Sequence, residues 1–140
     1  MATWQADFHV VVSARGLPAD YRETLARMLP PSRSWDCRVE IWGTEDGDRI
    51  DVSTYEGGSV EIFARFDLRQ WQATLYEQFL AFVRNLSGRL QSADSGAELA
   101  VTPEAFQQAL LESPAADFVR DPEAHLRKLR DQPIRMPEEP

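Results

Sequence analysis

The sequence predicts an α+β fold: a mostly antiparallel four-stranded sheet, one long helix packed on its apolar face, and a helical C-terminal third. Three observations predict it. Between Trp35 and Phe66 apolar and polar side chains alternate at period two, as in half-buried strands. From Leu68 to Leu90 apolar residues recur at three- and four-residue steps, as on one face of a helix. Beyond residue 101, three capping residues each precede a proline, which is how short helices start.

Phe8, Val10 and Val12 alternate with His9, Val11 and Ser13, so residues 7–14 read as the first strand. Arg15-Gly16-Leu17-Pro18 turns the chain into a short helix over residues 19–28, with Tyr21, Leu25 and either Met28 or Leu29 inward, and Pro30-Pro31 ends it.

The next three strands define two faces. Trp35, Cys37, Val39 and Ile41 fall on the apolar face with Ile50, Val52 and Thr54 and with Val60, Ile62, Ala64 and Phe66. Cys37 is thereby expected to be a buried small residue rather than a reactive thiol. The opposite face carries Arg38, Glu40, Trp42, Arg49, Asp51, Tyr55, Glu61, Phe63, Arg65 and Asp67. Asp46-Gly47 is a two-residue turn signal that sets Trp42 opposite Asp51; a longer loop from Gly43 to Asp46 would pair Glu40 with Arg49 instead. A three-residue loop at Gly57-Gly58-Ser59 sets Asp51 opposite Arg65 and Arg49 opposite Asp67.

Asp67 and Gln70 have capping-box spacing for the long helix, and Ser87-Gly88 stops it. Leu68, Trp71, Leu75, Phe79, Phe82, Val83, Leu86 and Leu90 form its stripe. Residues 91–97 read as a polar loop and 98–101 as a brief extended segment. Thr102-Pro103, Ser113-Pro114 and Asp121-Pro122 then predict helices near 103–112, 114–119 and 122–131. Phe106, Leu110, Phe118, Val119, Leu126 and Leu129 supply their apolar contacts. Residues 1–131 thus form one domain, with a loosely ordered acidic and proline-containing tail at 132–140.

A net charge of -8 and a pI near 4.7 disfavour nucleic acid and anionic membranes as partners and suit a basic protein. Neither a signal-peptide pattern nor a long apolar run occurs, so a cytoplasmic location is the expectation.

Catalytic chemistry has few candidates. His9 and His125 lie far apart in sequence, and Cys37 has ligand-like spacing to neither. Glu45-Asp46-Gly47-Asp48 lacks the alternating acids and distal glutamate of a calcium loop, and Gly57-Gly58 is followed by no phosphate-loop lysine. Asp51 and Glu61 are a carboxylate pair among arginines, which holds them ionised rather than ready for acid–base work. The sequence therefore assigns no catalytic, metal or cofactor residue and leans away from an enzyme. What remains is the mixed face of Arg38, Trp42, Asp51, Tyr55, Phe63 and Arg65, the aromatic and arginine composition of protein interfaces. The expectation is a small acidic protein-binding module, of the size and charge of an immunity protein or a secretion chaperone. The same face could instead join two copies of the chain. The alternative is a small-ligand binder or enzyme, with C-terminal helices folded over this face and a pocket using Arg38, Arg65 and Tyr55.

Overall fold

Seven strands rather than four form the sheet in the computed structural model, which describes residues 2–13, 15–124 and 127. They are β1 (Gln5–Val11), β2 (Pro31–Ser32), β3 (Val39–Gly43), β4 (Arg49–Thr54), β5 (Val60–Asp67), β6 (Arg89–Ser92) and β7 (Glu98–Leu99), arranged β2-β3-β4-β5-β1-β6-β7 with every neighbouring pair antiparallel. The described residues also include α1 (Tyr21–Met28), α2 (Ala73–Asn85), α3 (Pro103–Leu111) and α4 (Pro114–Arg120), with a further helical stretch begun at residues 122–124. The expected four-stranded sheet with one long helix is therefore corrected in both parts.

β2, β6 and β7 are the added strands. Leu90 explains why β6 escapes a local reading, because its apolar side chain continues the helical spacing from Leu86 equally well. In the fold it is fully buried and pairs with Val10. That pairing joins segments some eighty residues apart, which period alone does not encode. The edge strands β2 and β7 have two residues each and offer little to a strand from another chain.

The helix is shorter than its stripe because Asp67 is engaged elsewhere. Its carboxylate accepts hydrogen bonds from the backbone N–H (2.9 Å) and Nε (3.0 Å) of Arg69, closing a turn at the end of β5. The Arg69 guanidinium also stacks 4.0 Å from the Trp4 ring centroid. Helix α2 consequently starts after Gln72, without a side-chain cap. Leu75, Phe79, Phe82 and Val83 of the expected stripe are buried along it, whereas Trp71 is half exposed.

The helices gather on one face of the sheet, where Phe8, Phe66, Phe79 and Phe106 are fully buried. Phe66 meets Tyr76, Phe79 and Phe106 edge-on at 5.4, 5.0 and 5.5 Å between ring centroids, and Phe8 lies 4.9 Å from Phe106. Each such ring contributes roughly 1.5–3 kcal/mol by burial, with edge-to-face contacts adding to it. Helix α1 reaches the same face through Tyr21 against Trp42, and α4 through Phe118 against Trp4.

Proline punctuation holds where it can be followed. Thr102 Oγ1 accepts from the Ala105 N–H and Ser113 Oγ from the Ala116 N–H, both at 3.2 Å. Asp121 caps residues 122–124 through the Ala124 N–H at 3.0 Å. The rest of the expected third helix, with His125, Leu126 and Leu129, and the 132–140 tail lie outside the described residues. Among the described residues no helix is long and apolar enough to cross a membrane.

Strand β3 is turned over relative to expectation. Trp42 pairs with Ile50, not Asp51, across a five-residue loop of residues 44–48 closed by the Thr44 N–H to the Asp48 carbonyl at 3.1 Å. Because side chains alternate, an odd loop in place of an even one exchanges the two faces of β3. Trp42 is 4% exposed and Glu40 faces the helices, held by Tyr21 and by Arg22 at 2.6 Å. The loop is fixed from outside itself. Its carbonyls accept from Trp4 Nε1 (2.7 Å) at Asp46 and from Gln5 Nε2 at Glu45 (2.9 Å) and Gly47 (2.8 Å), while Asp48 Oδ1 accepts from the Asp67 N–H at 2.8 Å.

Candidate functional site

The face away from the helices is built from the alternate residues of β3, β4, β5, β1 and β6. Cross-strand pairing sets them in rows. One row runs Val39, Ser53, Glu61, Val11, Arg89. The next runs Ile41, Asp51, Phe63, His9, Gln91. The third runs Gly43, Arg49, Arg65, Asp7.

Phe63 is the centre of this face. His9 meets its ring edge-on at 4.8 Å and the Arg65 guanidinium lies 4.9 Å from its centroid. Arg49 and Arg65 stand directly opposite each other, an arrangement that costs energy unless each is balanced. Both are. Arg49 donates to both oxygens of Asp51 at 2.7 and 3.1 Å, and Arg65 Nε lies 3.7 Å from Asp7 Oδ1. These same-strand and neighbouring-strand pairs replace the expected cross-strand pairs Asp51–Arg65 and Arg49–Asp67. The register is displaced by two residues because the β4–β5 loop has five residues, 55–59, closed by the Tyr55 N–H to the Ser59 carbonyl at 2.9 Å. An even displacement leaves every side chain on its expected face.

Asp7 is the least ordinary group here. It is 1% exposed, and among the described residues no group donates a hydrogen bond to either of its carboxylate oxygens. Burial pushes its pKa up, the nearby Arg65 charge offsets part of that, and Asp94 adds to it. Glu61 accepts from the Tyr55 hydroxyl at 2.9 Å, which raises the Tyr55 pKa, and lies 3.4 Å from His9 Nδ1, an ion pair when the imidazole is protonated.

Of the six residues expected to form the site, four are on this face or at its end: Asp51, Phe63, Arg65 and Tyr55. Trp42 is not, for the parity reason above. Arg38 precedes β3, exposed, with its guanidinium 3.7 Å from Asp36. Trp35 and Cys37, expected inside, lie in the 33–38 loop and are exposed, Trp35 by 90%. Sequence reading missed Asp7 and His9 as members of the site because β1 joins the middle of the sheet by long-range pairing. For Trp35 a signal existed: Ser34 and Asp36 flank it, and both are turn formers.

Among the described residues, α3 and α4 pack on the opposite side of the sheet and do not form the expected pocket with Arg38, Arg65 and Tyr55. A cleft of about 460 Å³ lies instead between the β6–β7 turn and α3–α4, lined by Ser92, Asp94, Glu98, Gln108 and Glu112 among others. Among the described residues no group of three or more His, Cys, Asp or Glu side chains is arranged to hold a metal ion. Comparison of the chain with protein-family models, with curated proteins and with solved structures found no match.

Proposed function

We propose that this chain is a binding protein that docks another protein on the face of its sheet away from α1–α4, a small acidic factor that occludes a basic partner in the manner of an immunity protein or a secretion chaperone. One observation carries the reading: α1, α2, α3 and α4 pack on one side of the sheet, which leaves Phe63, Arg65 and their charged neighbours, partly exposed, on the other. An aromatic ring stacked under an arginine and framed by carboxylates gives contact area with polar reach. The charge of -8 draws a basic protein toward it.

The test is affinity capture from the source cell, followed by calorimetric titration of the purified, identified partner. Phe63→Ala and Asp51→Arg abolish or weaken that binding on the order of tenfold or more, at unchanged fold by circular dichroism, and raised salt weakens the parent complex. A partner whose affinity is indifferent to both substitutions defeats the proposal. The second reading, a small-ligand binder, rests on the cleft between the β6–β7 turn and α3–α4. It is favoured if Glu112→Gln, on the cleft, changes the activity or ligand affinity of the chain while Phe63→Ala does not.

A further inference from the structure

We infer that the 33–38 loop is a self-association surface, in which Trp35 of one copy docks against the same end of a second copy of this chain. The loop is built to hold the indole outward rather than to bury it. Ser34 Oγ donates to the Asp36 carbonyl at 2.8 Å and accepts from the Asp36 N–H at 3.2 Å, and Asp36 Oδ1 accepts from the Arg38 N–H at 2.9 Å. These bonds pin the residues on both sides of Trp35, so its exposure does not come from a loose chain.

Trp35 is not alone. The Thr54 N–H donates to the Arg38 carbonyl at 2.9 Å, which puts this loop beside the start of the 55–59 loop. Tyr55 there is 52% exposed, and Val11, in the outermost row at the same end of the sheet, is 37% exposed. Three of the five large apolar side chains exposed among the described residues therefore share one end of the sheet, the arrangement of an interface rather than of scattered surface.

Charge selects the occupant. The loop carries Arg33 and Arg38 against a single Asp36, a basic segment in a chain of charge -8. A basic, aromatic loop fits an acidic protein, and a second copy is one. A two-fold contact supplies both halves at once: Arg33 and Arg38 of one copy face the exposed Glu56 of the other, and the reverse. The short β2 edge leaves the loop, not a continued sheet, as the means of contact.

Sedimentation velocity of the full chain under reducing conditions tests this, from about 1 to about 100 μM, because self-association follows concentration. The parent chain is expected to be dimeric at the upper end. Trp35→Ala, a surface change that leaves the fold intact, weakens the dimer on the order of thirtyfold, whereas Phe63→Ala on the sheet face does not alter it. Cys37 is exposed two residues away and provides a second readout: a short bismaleimide links two parent chains through Cys37, and Trp35→Ala abolishes the linked species. A parent chain monomeric throughout, or a dimer that Trp35→Ala leaves intact, overturns the inference. Because the sheet-face variants leave this dimer unchanged, failure here and failure of the docking proposal are separately visible.

Discussion

Two tryptophans seven residues apart exchange the environments that alternation alone assigns to them. Trp42 lies under α1 against Tyr21, and Trp35 stands in solvent. Trp42→Ala is therefore a core truncation, expected to cost about 3–5 kcal/mol in urea unfolding, and not a probe of any surface. Asp7 makes a different point at the same scale. Its folded pKa is raised above the ordinary 3.8, so the protonated form is favoured by folding. Such a group contributes stability that is full below its unfolded pKa and lost as pH rises through its folded pKa. Asp7→Asn removes this dependence. Denaturation of the two proteins across pH should show the variant gaining on the parent as pH rises from 3.8 toward neutrality; a gap independent of pH would count against a buried, raised carboxyl.

At the scale of elements, the β3–β4 loop decides which side of β3 faces the helices. Gly43 enters that loop at φ +97°, and a Cβ there would stand 2.0 Å from the Asp48 carbonyl oxygen. That oxygen already receives the Thr44 N–H. Gly43→Ala is expected to lose about 1–3 kcal/mol from backbone conformation alone, with the steric conflict added, as read from the melting transition. The α3 and α4 caps behave differently, because they are local: a threonine or serine before a proline satisfies a backbone N–H three residues on, whatever the rest of the chain does. That is why the starts of α3 and α4 were legible in the sequence. The start of α2 was not, since Arg69 competes for the Asp67 carboxylate and a local pattern contains no record of the competitor's other partners, Trp4 and Asp46.

For the molecule as a whole, the consequential fact is that α3 and α4 complete the core on the helix side of the sheet. Phe106 sits among Phe8, Phe66, Tyr76 and Phe79, drawn from β1, β5 and α2. Phe106→Ala should cost about 3–5 kcal/mol, and far-ultraviolet and fluorescence signals should still fall together in one transition. Separate transitions would show that α3 and α4 fold as an independent unit. The same placement sets the Phe63 face on the side away from α1–α4, so the candidate site follows from where these helices went rather than from any motif.

The sequence by itself determined the mixed α and antiparallel β character, the middle strands β4 and β5 with their faces, the helix after β1, the proline-started helices α3 and α4, and an arginine and aromatic composition on the outer side of β5. Each of these depends on neighbours within a few residues, through side-chain alternation, helical spacing or a capping bond. Tertiary structure alone decided the seven-strand order, the insertion of β1 between β5 and β6 and the inversion of β3. Those outcomes rest on hydrogen bonds between segments roughly forty to eighty residues apart, and on loops whose odd or even length is fixed by groups elsewhere in the fold, which no local pattern records.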